Sequence, residues 1–151
     1  MDKTIVQKFI EHSKAFFISE QVQEEIKISS DKILKVLIIE DDEMIIGCLQ
    51  EFLKIWVLAT KISPVFVETL TEVKRILEEE QEFDYTFLDW NIEGGNTKEI
   101  SEIIAKRYPT ISISACNDMK SYHKNNGAID AIEKLDIPNY LENELEKREE
   151  K

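Results

Sequence analysis

The sequence has few of the residues that mark secreted, fibrous or unfolded chains. Its 151 residues include only two cysteines, four glycines and three prolines. Two cysteines, Cys48 and Cys116, cannot build a disulfide framework, which is typical of a reducing cytoplasm, and we interpret both as small packing residues. The chain also has no internal repeat and no linker rich in glycine, serine or proline. We therefore expect a cytoplasmic protein with one main domain.

Long hydrophobic runs and a surplus of positive charge are also missing. The first twenty residues, MDKTIVQKFIEHSKAFFISE, interrupt their apolar positions with polar ones, so they form neither a signal-peptide core nor a membrane span. The net charge is -12, whereas affinity for a nucleic acid depends on cationic side chains that neutralise phosphates. We therefore expect no membrane and no nucleic acid among the partners. A basic protein surface or a divalent cation suits this charge better.

What the sequence does contain is a regular alternation of strand and helix patterns. With 42% hydrophobic and 33% charged residues, the composition is that of a globular domain. The predicted strands are 33–39, 64–68, 84–90, 111–115 and 128–134, and the predicted helices are 44–56, 69–81, 97–108, 117–127 and 137–151. Five alternations of strand and helix predict an α/β fold with a doubly wound, five-stranded parallel sheet.

Residues 1–32 precede this alternation, so the predicted organisation is an N-terminal helical extension at 1–32 and the main domain at 33–151. Ile5, Phe9 and Phe16 share one stripe of the predicted helix. An amphipathic helix usually packs against its own domain, and we favour that interpretation. The alternative is that this helix pairs with a second copy of the chain and forms a homodimer.

Four acidic residues follow the first predicted strand directly, in the stretch KVLIIEDDE. Crowded carboxylates raise one another's pKa unless positive charge lies among them. Ligands of an open parallel sheet bind beyond the carboxyl ends of the strands, where the strand order reverses. Glu40 and Asp41 end the first strand and Asp89 ends the third, so the three would converge if these strands are neighbours. Such a cluster suits Mg²⁺, whereas Asp42 is better suited to capping the next helix.

Two further strand ends add a hydroxyl group and an ammonium group. Ser114 lies at the end of the fourth predicted strand, and Lys134 closes the fifth. The hydroxyl can donate a hydrogen bond to an anion, and the lysine supplies a compact positive charge. Together with a metal, these groups form a site that could move a phosphoryl group onto the carboxylate of Asp89.

Four motifs in this order, LIIEDDE, FDYTFLDWN, KRYPTISISA and GAIDAIEK, resemble the receiver domain of bacterial two-component response regulators. The resemblance covers residues 33–149 and implies a flavodoxin-like sheet of strand order 2-1-3-4-5. It implies Asp89 as the phosphorylated residue, Ser114 as the switch hydroxyl and Lys134 as the site lysine. The implied ligands of a Mg²⁺ cofactor are Glu40, Asp41, Asp89 and the main-chain carbonyl of Asn91.

The same resemblance implies a function in two-component signalling. The protein would be a single-domain response regulator that accepts a phosphoryl group on Asp89 from a histidine kinase or a histidine phosphotransfer protein. It would then report to a downstream protein target. Such a protein catalyses only its own phosphorylation and dephosphorylation, so we do not expect an enzyme in the usual sense.

Two positions depart from the family pattern. The site lysine is usually followed by a proline with a cis peptide bond, but Leu135 follows Lys134, and a cis bond there would cost about 3 kcal/mol. Ala131 stands where an aromatic side chain usually moves together with the switch hydroxyl. These departures make a pseudo-receiver the alternative, in which the chain acts as a protein interaction module without phosphorylation.

A third hypothesis is a Mg²⁺-dependent phosphohydrolase that uses Asp89 as its nucleophile. Such enzymes need a second acid for turnover. The position two residues after Asp89 holds Asn91, so the sequence disfavours this class.

Overall fold

The structure is a computed structural model that describes residues 33–149. The strands are β1 (Leu34–Ile39), β2 (Ile62–Val67), β3 (Tyr85–Leu88), β4 (Asn91–Ile92), β5 (Gly95–Asn96), β6 (Thr110–Ser112) and β7 (Asp130–Ala131). The helices are α1 (Glu43–Leu58), α2 (Leu70–Glu78), α3 (Ser101–Arg107), α4 (Asn117–Asn125) and α5 (Ile137–Glu149), with a 3₁₀ turn at Lys134–Asp136. The predictions for residues 1–32, including the helical extension and the homodimer, lie outside the described residues.

Five strands form one parallel sheet in the order β2-β1-β3-β6-β7. This is the predicted order 2-1-3-4-5, so the predicted fold class is confirmed. Strands β4 and β5 form a separate antiparallel hairpin after β3, in a segment for which the sequence predicts neither strand nor helix. Gly94 lies in the turn between β4 and β5. Its φ of 97° is a backbone conformation that favours glycine.

The central strand β1 is apolar apart from Lys35, which is exposed near its start. Leu34, Val36 and Ile38 face a core that also contains residues of α1 and α5. Leu37 and Ile39 face the opposite core, which also contains residues of α2 and α3. Since both faces of a parallel sheet are covered, nearly every side chain of a central strand must be apolar.

Two helices begin with a side chain that caps their first N–H groups. Asp42 caps α1 by accepting hydrogen bonds from the N–H groups of Met44 at 2.9 Å and Ile45 at 3.4 Å. Thr69 caps α2 by accepting one from the N–H of Glu72 at 3.1 Å. Asp42 is therefore a helix cap in this structure, as predicted.

The predicted inner face of α1 is only partly correct. The spacing of Ile45, Leu49, Phe52 and Trp56 in the sequence predicts that they share one face, but Phe52 is 39% exposed. Leu53 is fully buried instead. Leu53 lies four residues after Leu49 and three before Trp56, so it continues the face that packs against the core, and Phe52 lies beside that face.

The last two predicted strands are longer in the sequence prediction than in the structure. The fourth ends at Ser112, so Ser114 follows the strand rather than closing it. The fifth is reduced to Asp130–Ala131, and Lys134 begins a 3₁₀ turn. Strand β7 is the edge of the sheet and pairs with β6 alone, through two residues. Within residues 33–149, no helix is long and apolar enough to cross a membrane.

Candidate functional site

Two acidic residues continue the sheet directly at the carboxyl ends of β1 and β3. These strands pair with each other, with Ile39 opposite Leu88. The N–H of Glu40 donates to the carbonyl of Val67 at 3.0 Å, and the N–H of Asp89 donates to the carbonyl of Ile39 at 3.2 Å. The backbone positions of both acids are therefore set by the hydrogen bonds of the sheet.

Glu40, Asp41 and Asp89 form a cluster, as the sequence analysis predicts. Each contributes a carboxylate oxygen, and these oxygens all lie within 4.8 Å of one another. Glu40 and Asp89 are buried, whereas Asp41 is exposed. The cluster thus has a buried side, formed by the sheet, and a side that solvent can reach.

Lys134 supplies the positive charge that such a cluster requires. Its Nζ lies 2.8 Å from Glu40 Oε2 and 2.9 Å from Asp89 Oδ2. The lysine side chain is 23% exposed, so the two ion pairs are largely shielded from water. One ammonium group therefore offsets the repulsion between the two buried carboxylates.

The surroundings of this cluster raise the pKa of both Glu40 and Lys134. Burial raises the pKa of Glu40 above its usual range and the charge of Asp89 adds to this effect, although Lys134 and the N–H of Asp42 oppose it. Burial alone would lower the pKa of Lys134, but Glu40 and Asp89 outweigh burial and raise it. Lys134 therefore stays protonated at neutral pH, and losing its charge would raise the pKa of Glu40 further.

The oxygen atoms of Glu40 fit a metal ligand. Oε1 accepts a hydrogen bond from the N–H of Asp42 at 3.0 Å. Oε2 is buried and lies 2.8 Å from Lys134 Nζ, in the ion pair described above. The carboxylates of Glu40, Asp41 and Asp89 are hard oxygen donors of the kind that Mg²⁺ prefers, so this group of residues fits that cation.

An open cleft of about 420 Å³ surrounds the cluster and brings the remaining predicted residues to it. Its lining includes Asn91, Ser114 and Lys134 as well as the acids. Asn91 begins β4 and is exposed. The structure thus brings all six predicted site residues to one cleft, while their roles stay predictions.

Ser114 is held with its hydroxyl group available. The side chain is 2% exposed, and its Oγ accepts a hydrogen bond from the N–H of Cys116 at 3.4 Å. No described residue accepts the hydroxyl proton of Ser114, so this proton is free to be donated to an anion in the cleft. Cys116 is itself exposed at the cleft, so the interpretation of this cysteine as a packing residue is wrong.

Asp89 is held at both of its carboxylate oxygens. Oδ1 accepts a hydrogen bond from the N–H of Trp90 at 2.8 Å, and Oδ2 accepts one from Lys134. The half-buried Trp90 packs edge-on against Tyr122, with 5.2 Å between ring centroids, and lies 5.4 Å from the ring of His123. The rim of the cleft is therefore built partly from α4.

Sequence analysis missed His123, which lies behind the cleft. Its side chain is 1% exposed and contacts Thr97 and Ser112. The segment that forms α4 has few apolar residues, and His123 is spaced four residues after Met119, so both lie on one helix face. That spacing was the available signal for an inward-facing histidine.

The fold matches the receiver domains of solved response regulators. A two-component response regulator from Clostridium difficile has 19% identity and a TM-score of 0.61, over 78% of this chain and 99% of that chain. The response regulator domain of Thermotoga maritima CheB has 17% identity and a TM-score of 0.58, over 76% and 95%. A CheY-like receiver domain protein from Methanospirillum hungatei has 16% identity and a TM-score of 0.58, over 78% and 98%. No protein-family model matches this sequence, and no curated protein matches it.

These likenesses establish the architecture. Residues 33–149 have the receiver-domain fold, and the resemblance predicted from the sequence motifs is confirmed at the level of the fold.

Proposed function

We propose that this chain, with its receiver-domain fold, is a response regulator that accepts a phosphoryl group on Asp89. The donor would be a histidine kinase or a histidine phosphotransfer protein. The observation that carries the proposal is the contact of Lys134 with both Asp89 and Glu40, at 2.9 and 2.8 Å, beyond the ends of adjacent strands. A buried carboxylate with a cation and an open cleft beside it is suited to receiving a phosphoryl group.

The transfer step uses the carboxylate of Asp89 as the nucleophile. A bond forms between one carboxylate oxygen and the phosphorus atom, while the phosphorus–nitrogen bond of the donor phosphohistidine breaks. The released imidazole nitrogen takes a proton from solvent. Hydrolysis of the resulting acyl phosphate by water returns Asp89 and inorganic phosphate, so the protein resets itself.

The residues around Asp89 have separate tasks in this step. Lys134 already lies beside the carboxylate and can pair with the phosphoryl oxygens as negative charge reaches the site. The free hydroxyl proton of Ser114 can be donated to the same oxygens. Glu40, Asp41, Asp89 and the carbonyl of Asn91 would hold Mg²⁺, which when bound neutralises charge on a phosphoryl group.

Signalling would follow from the added charge. A phosphoryl group on Asp89 places new negative charge in a largely buried site, and Ser114 and Lys134 must rearrange to pair with it. The loops that follow β3 and β6 would then shift population towards a state that binds a downstream protein. The net charge of -12 suits a partner with a basic surface in the cytoplasm.

Acetyl phosphate with Mg²⁺ tests the proposal, with intact mass spectrometry as the readout. Wild-type protein should gain the mass of one phosphoryl group, and Asp89→Asn should gain none. Asp84→Asn is the matched control, because Asp84 precedes β3 and binds the N–H of Lys35, at the end of the strand away from the cleft. No mass gain by folded wild-type protein would point to a phosphorylation-independent interaction module.

A further inference from the structure

A buried histidine connects α4 to the sheet beside the candidate phosphoacceptor. His123 is the buried residue of α4. Its Nδ1 lies 2.7 Å from Ser112 Oγ, at the end of β6. Its Nε2 lies 3.3 Å from Thr97 Oγ1, in the segment that follows the β4–β5 hairpin. Each ring nitrogen therefore lies within hydrogen-bond distance of a hydroxyl group. Both hydroxyl groups belong to other parts of the fold, so His123 links them to α4.

Thr97 in turn holds the backbone of the phosphoacceptor. Its side chain is fully buried, and Oγ1 lies 2.6 Å from the carbonyl oxygen of Asp89 and 3.3 Å from that of Trp90. The N–H of Thr97 also donates to the carbonyl of Trp90 at 2.8 Å. Thr97 thus closes the loop that begins at Asp89, and His123 supports Thr97 from behind.

The available protons decide which group donates and which accepts in each of these hydrogen bonds. Thr97 has one hydroxyl proton, and the short contact with the carbonyl of Asp89 uses it because a carbonyl oxygen can only accept. His123 Nε2 must therefore carry a proton and donate it to Thr97 Oγ1. The neutral ring then has a bare Nδ1, which accepts the hydroxyl proton of Ser112. The result is a chain of three hydrogen bonds that runs from Ser112 through His123 and Thr97 to the carbonyl of Asp89.

The surroundings of the ring favour this neutral form. Burial lowers the pKa of His123 to about 4, and the negative charge of Asp89 only partly opposes this. A charged ring would carry a proton on Nδ1 as well, and Ser112 could then no longer donate to it. The ring also packs against Trp90, and its two nitrogens contact the hydroxyl groups of Thr97 and Ser112.

We propose that His123 is a positioning residue for Asp89. Through Thr97 it fixes the main chain at the phosphoacceptor, and it ties that main chain to α4. A change in the position of the Asp89 backbone would then be passed to α4 through two hydrogen bonds. The kinetic part of this inference rests on the proposed function, whereas the structural part does not.

The kinetic test compares three variants with a control. His123→Leu removes both hydrogen bonds, Thr97→Val removes the hydroxyl group at constant shape, and His123→Gln keeps an N–H donor for Thr97. Tyr108→Phe is the control, because it removes a hydrogen bond to the carbonyl of Gln81, a contact that does not involve the cleft.

The rate of phosphorylation by acetyl phosphate should fall on the order of five- to tenfold in His123→Leu and in Thr97→Val, as expected when one hydrogen bond that aligns a reacting group is lost. The double variant should be no slower than Thr97→Val alone, because His123 acts on Asp89 only through the hydroxyl group of Thr97. His123→Gln should recover most of the rate, and Tyr108→Phe should keep all of it. Equal rates in His123→Leu and wild type, or additive losses in the double variant, would overturn the proposal.

Two readouts without phosphate separate this inference from the proposed function. Nitrogen-15 NMR of the His123 ring should show the proton on Nε2, and a proton on Nδ1 would overturn the proposal. Hydrogen exchange at the amides of Trp90 and Thr97 should be faster in His123→Leu and Thr97→Val than in Tyr108→Phe, and unchanged exchange would overturn it.

If His123→Leu does not fold, Thr97→Val and Thr97→Ser give the same comparison, since serine keeps the hydroxyl group. Wild-type protein that takes no phosphoryl group but shows both NMR and exchange results would reject the proposed function and support the positioning role.

Discussion

Lys134 Nζ lies 2.9 Å from Asp89 Oδ2, so the candidate phosphoacceptor carries its counter-ion before any phosphoryl group arrives. The same nitrogen lies 2.8 Å from Glu40 Oε2. Lys134 reaches both acids from the 3₁₀ turn at Lys134–Asp136, with Leu135 next in the chain where the family usually has proline. The lysine is thus shared between the acid that would be phosphorylated and an acid that would hold metal.

Because Lys134 pairs with both acids, Lys134→Met should lower the stability of the protein and raise its affinity for Mg²⁺. Without the ammonium group, Glu40 and Asp89 repel each other, so the free energy of unfolding should fall by about 1–3 kcal/mol in the absence of Mg²⁺, less than for a fully buried pair because the lysine is partly exposed. The affinity for Mg²⁺ should rise, because a competing cation is gone. Urea denaturation with and without Mg²⁺ measures both effects.

Lys61→Met is a control for that experiment. Lys61 pairs with Glu149 at 2.7 Å, but both side chains are substantially exposed, so the loss should be at most about 1 kcal/mol and independent of Mg²⁺. Equal stability losses for the two variants, with no change in metal affinity, would contradict the role assigned to Lys134.

The acidic cluster predicts a difference between two neighbouring aspartates. Asp41→Asn should weaken Mg²⁺ binding at least about tenfold, since even residues that only support a metal ligand commonly contribute 10–100-fold. Asp42→Asn should weaken it much less and keep the stability of wild type, because asparagine is also a good helix cap. The fluorescence of Trp90, which lines the cleft, reports the titration in a Trp56→Phe background. Similar losses for both variants would mean that only general negative charge attracts the cation.

The stability of the protein should fall as the pH drops from about 6.5 to about 4 because of His123. Burial lowers the pKa of this residue to about 4, from 6.5 for an ordinary histidine. Between these values the unfolded chain binds a proton that the folded protein does not, so the free energy of unfolding rises with pH in this window. The whole effect is at most about 3 kcal/mol.

His123→Gln isolates this contribution from the titration of Glu40 and of other groups. Glutamine keeps a donor for Thr97 but has no proton to gain in this range. The difference in unfolding free energy between wild type and the variant should therefore change across the window. Two parallel pH profiles would show that His123 titrates in the folded protein as it does in the unfolded chain.

Phosphorylation should change hydrogen exchange mainly in two segments, one with the β4–β5 hairpin and one with α4. In the family pattern an aromatic ring moves into space left by the switch hydroxyl, but Ala131 has no ring to move. With a beryllofluoride mimic and Mg²⁺, hydrogen exchange should change at 91–97 and 115–126 and stay nearly constant at 128–133. Asp89→Asn should show no change. New protection centred on 128–133 alone would indicate a different route.

Much of the fold could be predicted because its signals are local. The apolar run Leu34–Ile39 indicates a strand covered on both faces, and the acids that follow it mark the carboxyl end of the sheet. The prediction that Glu40 and Asp89 converge also needs the first and third strands to be neighbours, and that strand order came from the resemblance to receiver domains. Short elements were harder: the hairpin of β4 and β5 has two residues in each strand, too few for a period to be seen.

The buried polar chain could not be predicted for a different reason. Thr97 and Ser112 lie 26 and 11 residues from His123 along the chain, so nothing near the histidine shows that it has partners. Thr97 was assigned to a helix, whereas α3 begins at Ser101. A polar residue is buried when distant groups satisfy it, and only the folded chain shows those groups.

The central claim is that Asp89 itself carries the phosphoryl group, and borohydride reduction after treatment with acetyl phosphate and Mg²⁺ tests it most directly. This reagent reduces an aspartyl phosphate to homoserine, which tandem mass spectrometry locates in the sequence. The account predicts homoserine at position 89 in wild-type protein and in Asp84→Asn, and at no other position. Homoserine at Asp41 or Asp42 in place of Asp89, or none in folded protein with Mg²⁺ present, would contradict it.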